Sequence, residues 1–187
     1  MPVQKIKKIV AIGPESTGKS TLCAQLAAHY NTLWCPEFAR EYLLKHGMNY
    51  NYEDLLTIAK GQLAMEDEFI QKISGADTAA SNSQLLFIDT DMYVMKVWSE
   101  FVFEKCHKRI LEQIIDRKYD LYLLCNTDLP WVKDELREYP DLKTREKLFL
   151  IYKDILMNQN TPWVMIKGND DSRLSIAVHA VNTLLNK

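Results

Sequence analysis

No stretch of this sequence stays apolar long enough to cross a membrane, and the run Ile9-Val10-Ala11-Ile12 near its start is too short for a signal peptide. No C-x-x-C pair occurs. Cys23, Cys35, Cys106 and Cys125 are far apart, and three of them sit in apolar or element-like stretches, which argues for buried thiols in a reducing compartment over disulfides or zinc. His29, His46, His107 and His179 show no ligand spacing, so none is given a catalytic role. A large charge imbalance is missing too. The formal net charge is −2, which gives no electrostatic reason to expect nucleic acid or an anionic membrane as the partner. Neither an internal repeat nor a linker is present, and 187 residues suit one α/β domain. These absences describe a cytoplasmic globular protein.

What is present is an octapeptide, Gly13-Pro14-Glu15-Ser16-Thr17-Gly18-Lys19-Ser20, placed between that apolar run and Thr21-Leu22-Cys23-Ala24-Gln25-Leu26. It matches the G-x-x-x-x-G-K-[ST] phosphate loop in the strand–loop–helix setting that the motif requires. Gly13 and Gly18 free the backbone to turn successive N–H groups inward around phosphate oxygens. Those groups sit at a helix N-terminus, where unpaired donors and the macrodipole favour an anion. Lys19 would reach the β- and γ-phosphates, the Ser20 hydroxyl would coordinate Mg²⁺, and Thr21 could touch the α-phosphate. A nucleoside triphosphate is the expected ligand.

The rest of the chain alternates strand and helix signals. Strands are expected at 5–12, 32–35, 85–89, 119–125 and 162–166, and helices at 19–30, 52–73, 93–104, 106–117, 141–158 and after 172. This predicts a three-layer α/β phosphate-loop NTPase fold: a mainly parallel five-stranded sheet, helices on both faces, and a lid. Apolar positions Leu56, Ala59, Leu63 and Ile70 mark one helix face, interrupted by Glu66. Residues 74–83 are small and polar, a surface loop with room to move. Asp171 or Ser172 should cap the last helix.

In an open parallel sheet, ligands bind beyond the carboxyl ends of the strands. Glu37 and Arg40, just after the second strand, are therefore read as acceptor residues in preference to a helix-start carboxylate and its i,i+3 partner. Gln62 could face the cleft or solvent. Leu85-Leu86-Phe87-Ile88-Asp89 is a buried strand ending in the carboxylate that a second Mg²⁺ ligand requires, and Asp91 follows. Val97, Trp98, Phe101 and Val102 read as core. The charged stretch 126–138 follows the fourth strand, where a lid arginine would meet transferring phosphates, so it is read as a lid in preference to a solvated helix. Arg145 is a second lid cation or a surface residue. The turn 167–172 would hold adenine.

Two competing classes fit less well. A regulatory GTPase needs Asp-x-x-Gly where this chain has Asp89-Thr90-Asp91-Met92, and Asn-Lys-x-Asp where it has Asn126-Thr127-Asp128-Leu129. Nothing marks the interface of a motor ATPase. A small-molecule kinase suits the layout. The ordered blocks Glu15–Leu22, Glu37-Phe38-Ala39-Arg40-Glu41-Tyr42, Phe87-Ile88-Asp89-Thr90-Asp91 and Pro130-Trp131-Val132-Lys133-Asp134-Glu135-Leu136-Arg137 resemble the kinase domains of NadR-type NAD-biosynthesis proteins.

That resemblance implies phosphorylation of ribosylnicotinamide at its ribose 5′-hydroxyl, with ATP and Mg²⁺ as cofactors. It implies Lys19, Glu37, Asp89 and Arg137 as catalytic residues, with Asp89 the rival to Glu37 as base, and Ser20 and Asp89 at the metal. Residues 13 and 15–21 would bind ATP. Glu37, Phe38, Arg40, Gln62, Asp91 and Trp131 would meet the acceptor, with Phe38 and Trp131 as stacking surfaces for a cationic ring. No His-x-Gly-His nucleotidyl-transfer motif is present, so this chain is not expected to make NAD from the mononucleotide. The alternative reading is a nucleotide-dependent regulatory module with no small-molecule acceptor.

Overall fold

The computed structural model describes residues 6–75 and 84–186. In chain order these form β1 (Lys7–Ile12), α1 (Lys19–His29), β2 (Leu33–Cys35), α2 (Phe38–His46), α3 (Tyr52–Gly75), β3 (Leu85–Asp89), α4 (Met92–Phe103), α5 (Lys108–Asp116), β4 (Leu121–Cys125), α6 (Leu142–Met157), β5 (Trp163–Ile166) and α7 (Asp170–Leu185). The strands make one sheet in the order β2-β3-β1-β4-β5, with every neighbouring pair parallel. Parallel strands need crossovers, and here the crossovers are helices that cover both faces.

β1 shows how the sequence encodes this. Ile9 and Ala11 pack with Leu22, Leu26, Ala177 and Val181 from α1 and α7. Val10 and Ile12 pack with Val94, Val97, Leu148 and Tyr152 from α4 and α6. Successive strand residues face opposite ways, so an unbroken apolar run is what a strand covered on both sides requires. A third cluster, including Ala39, Leu55, Ile58, Met95 and Ile110, joins α2 to α5. Because Ala11 pairs in register with Asp89, the phosphate loop and the β3 carboxylate leave the sheet along the same edge.

Three expectations change. The buried face of α3 is Leu55, Ile58, Ala59, Gln62, Glu66 and Ile73; of the expected stripe Leu56, Ala59, Leu63 and Ile70 only Ala59 is on it, while Leu63 and Ile70 are partly buried beside the core. Glu66 does not interrupt that face. It meets Lys8 Nζ and Arg117 Nη1 at 3.0 Å each and accepts the Tyr119 hydroxyl at 2.9 Å, the pairing that a buried charge requires. The cap of α7 is Asn169, whose Oδ1 accepts from the Ser172 amide at 3.0 Å, so neither Asp171 nor Ser172 caps it. Of the polar stretch 74–83, Ser74 and Gly75 end α3, and 76–83 lie outside the described residues. Cys23, Cys35 and Cys125 are buried free thiols, as expected, and Cys106 is partly buried. Among the described residues no helix is long and apolar enough to cross a membrane.

Candidate active site

The chain leaves β1 directly into the loop 13–18. Gly13 has φ +145°, and a Cβ there would stand 2.7 Å from the Cys125 carbonyl oxygen at the end of β4. Only glycine allows that approach. The Thr17 hydroxyl donates across the loop to the Pro14 carbonyl at 2.7 Å, and the Lys19 ammonium donates to the same oxygen at 2.9 Å. α1 then begins with no side-chain cap and no acidic residue in its first turn, leaving its leading N–H groups for an anion.

Asp89 and Glu37 meet beside this loop. Ser20 Oγ donates to Asp89 Oδ2 at 2.5 Å, while Asp89 Oδ1 is buried with no partner among the described residues. Glu37 occupies the N-cap position of α2 yet makes no capping bond. Its Oε1 instead accepts the Thr90 hydroxyl at 3.3 Å. Thr90 has φ +79°, a costly conformation for a β-branched residue and one that concentrates at functional sites. Burial pushes the Glu37 carboxyl above its usual range, and the neighbouring Asp89 charge adds to the effect. Burial also pushes Asp89 up, against the pull of Lys19 and Ser20. Two carboxyls in one dry corner favour holding a proton between them.

The stretch 126–141 has no helix or strand, so the solvated-helix alternative is not what forms. It lies across the cleft, bonded on both sides. Glu15 of the phosphate loop accepts from Trp131 Nε1 (3.2 Å), the Glu138 amide (3.0 Å) and the Tyr139 amide (2.7 Å). Ser16 Oγ accepts from the Val132 amide at 3.0 Å. On the far side, the Arg40 guanidinium donates twice to Asp134, at 3.2 and 3.1 Å, and the Tyr50 hydroxyl donates to Glu138 at 2.9 Å. Arg137 reaches the Val132 carbonyl. Glu15, expected to serve ATP, is therefore also the clasp of this segment. In Glu15→Ala the Glu138 and Tyr139 amides should exchange hydrogen about tenfold faster, since losing charge-assisted bonds at a partly exposed site costs on the order of 1–2 kcal/mol. Unchanged exchange at both amides would remove the clasp.

Between loop, α2, α4, α6 and this segment lies a cavity of about 440 Å³. Its wall includes residues 13–21, Glu37, Arg40, Asp89 and Arg137, together with Trp34, Trp98, Phe101, Tyr139 and Tyr152. Four residues expected at the acceptor are not part of that wall. The Phe38 ring packs against α3, where a Cβ on Gly61 would stand 2.1 Å from it. Trp131 is held by its indole N–H on Glu15 of the phosphate loop.

Gln62 is fully buried. It accepts from the Phe38 amide at 2.7 Å and donates to the Pro36 carbonyl at 3.2 Å and the Asp89 carbonyl at 3.4 Å, so it fixes the strand ends that carry Glu37 and Asp89. Asp91 caps α4 through the Tyr93 and Val94 amides and accepts the Tyr122 hydroxyl at 2.8 Å. Burial raises its carboxyl to about 6. Conversely Trp98 and Phe101, read as core, stand in the cavity wall. Trp98 Nε1 donates to the Tyr50 hydroxyl at 2.9 Å, and Phe101 meets Tyr139 edge-on at 5.4 Å. Helical spacing could not separate a core face from a cavity face, because both are apolar.

A hard divalent cation fits this corner. The unpartnered Asp89 oxygen and the adjacent Ser20 hydroxyl are oxygen donors, and no cluster of three or more His, Cys, Asp or Glu side chains stands ready among the described residues to cage a metal. Magnesium is commonly held in that way, by one or two protein oxygens plus phosphate and water.

Comparison with known proteins bears on the family and the fold. The model of a family described as an AAA domain matches residues 8–173. The trifunctional NAD biosynthesis/regulator protein NadR of Escherichia coli (strain K12) is 27% identical over 185 residues, which are 96% of this chain and 43% of that protein. The chain thus spans less than half the length of that curated relative. A crystal structure of a NadR protein in complex with NR superposes with a TM-score of 0.74 at 21% identity, over 97% of this chain and 52% of that one. Thymidylate kinase from Ehrlichia chaffeensis gives 0.61 at 16% identity, over 97% and 100%. The fold is that of phosphate-loop kinases, and with nearly its whole length matched by the model the chain belongs to the AAA domain family.

Proposed function

We propose that this chain is an ATP-dependent kinase of a nucleoside, with ribosylnicotinamide the first candidate and nicotinamide mononucleotide its product. The observation that carries the reading is Glu37: a carboxylate beside Asp89 and the phosphate loop, free of any capping duty, at the wall of an aromatic cavity. A hydrolase that activates water has no need of such a cavity. The likeness to NadR proteins, one of them solved with NR, supports the same acceptor.

In this mechanism Lys19 leaves the Pro14 carbonyl for the β- and γ-phosphates, and the loop amides hold the chain of phosphates in line with the acceptor. Ser20 and Asp89 would hold Mg²⁺, which when bound neutralises phosphate charge. Glu37 takes the proton of the 5′-hydroxyl as the O5′–Pγ bond forms and the bond from Pγ to the β–γ bridging oxygen breaks, releasing ADP. Arg137 offsets charge on the transferring group from above. A cationic ring suits walls that combine Trp98, Phe101 and Tyr139 with the Glu138 carboxylate.

The test is a panel of nucleosides with ATP and Mg²⁺, read by mass spectrometry. ATP turnover should rise at least about tenfold with one acceptor whose monophosphate appears. Equal ATP loss with and without every nucleoside would sink the proposal.

A further inference from the structure

Glu37 stands at the N-cap position of α2, where a side-chain oxygen commonly accepts from the helix's own first amides. Here it makes no such bond, and the reason lies in another helix. Gln62 of α3 is 1% exposed, and its Oε1 accepts from the Phe38 amide, the first of α2, at 2.7 Å. Beside it, Gly61 leaves room for the Phe38 ring, which a Cβ at Gly61 would meet at 2.1 Å. α3 therefore grips the first residue of α2 by ring and main chain together. The cap of α2 comes from outside the helix.

The nitrogen of the same side-chain amide holds the peptide units that lead into the site. Gln62 Nε2 donates to the Pro36 carbonyl at 3.2 Å, just before Glu37, and to the Asp89 carbonyl at 3.4 Å, just before Thr90. Cys35 Sγ lies 3.6 Å from it. Thr90 in turn donates its hydroxyl to Glu37 Oε1 at 3.3 Å. An amide combines an acceptor and donors in one plane, so a single side chain fixes all of these groups relative to one another. Without it the Phe38 amide is an orphan donor, and such a group takes an acceptor wherever one is in reach. The Glu37 carboxylate, already at the N-cap position, is the acceptor that the helix itself offers. A carboxylate drawn back onto α2 is withdrawn from the cavity.

We propose that Gln62 is a positioning residue for phosphoryl transfer: by capping α2 from α3, it leaves the Glu37 carboxylate free to face the acceptor hydroxyl. This rests on the kinase reading above, in which Glu37 takes the proton. Gln62 touches neither nucleotide nor acceptor, and its effect on the reaction passes through Glu37.

The experiment measures kcat and KM for the nucleoside, and affinity for a non-hydrolysable ATP analogue with Mg²⁺, in wild type and in Gln62→Met, alone and combined with Glu37→Gln. Methionine keeps the length of the side chain and makes none of its bonds. Gln62→Met should lower kcat about 10- to 100-fold while KM and analogue affinity stay within about threefold. Its Phe38 amide should exchange hydrogen about tenfold faster. In the Glu37→Gln background the same change should cost less than about threefold, because the group it acts through is already gone. Gln62→Asn, whose amide is one methylene too short to hold both strand ends, should lose part of the turnover; if Gln62→Met does not fold, Gln62→Asn decides by the same comparison. Equal losses with and without Glu37 would overturn the proposal, leaving Gln62 a support of the fold. So would an analogue affinity that falls as far as kcat, or unchanged turnover in both Gln62 variants. Wild-type protein that phosphorylates no nucleoside would instead bring down the kinase reading, and this proposal with it.

Discussion

Glu37→Gln is expected to lower turnover of the nucleoside about 10²- to 10⁴-fold, the range that a positioned general base contributes, while affinity for a non-hydrolysable ATP analogue stays at the wild-type value. Glutamine keeps the size of the side chain and can still accept the Thr90 hydroxyl, so the cavity wall survives; only the proton acceptor is lost. The pH profile gives a second reading. Burial, then the Asp89 charge, raises the Glu37 carboxyl, so the free base disappears as pH falls through a value above the ordinary carboxylate range. Wild-type activity should therefore decline on acidification earlier than an exposed glutamate would dictate, and Glu37→Gln should lose that limb. If the variant stays within about threefold of wild type and keeps the limb, Asp89 is the base and Glu37 only shapes the cavity.

Sequence and structure agree where the chemistry is local. The phosphate loop is legible because each of its fixed residues answers a short-range need: Gly13 the approach to Cys125, Lys19 and Ser20 the reach of their own side chains. The sheet is legible because strands buried on both faces must be apolar throughout, as β3 and β4 are. Glu37 was visible through topology alone, as an acid at the carboxyl end of a strand.

What escaped was orientation around helices. Asp91 and Asp89 are two residues apart, yet the turn through strained Thr90 sends one carboxylate to a helix cap and the other to the cleft. Phe38 and Trp98 are both aromatics at helical spacing, and what sorts them is the missing side chain at Gly61, which lets Phe38 pack inward. Long-range polar pairings were also out of reach. Glu15 reads as part of a phosphate loop until the crossing segment closes on it from more than a hundred residues away.

Arg173 is the largest such omission, and it carries the second large effect. The helix α7 reads as a plain amphipathic segment, but its Arg173 is 3% exposed and joins three loops at once. Nε donates to the Gly168 carbonyl at 2.9 Å, Nη1 to the Thr17 carbonyl at 3.0 Å, and Nη2 to the Asn126 carbonyl at 2.9 Å and to the Asp128 carboxylate. The end of the phosphate loop, the end of β4 and the turn after β5 thus share one guanidinium, whose fork geometry a lysine would not reproduce.

Arg173→Met should cost about 3 kcal/mol in urea unfolding, near the low end for breaking a buried pair, because Asp128 is partly exposed and keeps the Gly168 amide at 2.7 Å. Nucleotide affinity should fall with it, since the Thr17 carbonyl that Arg173 holds belongs to the loop that must stay preformed. Adding Asp128→Asn to the variant should then cost little further, because the two groups act as one unit. Full additivity of the two losses would show that Arg173 stabilises the fold through its contacts with the backbone carbonyls alone.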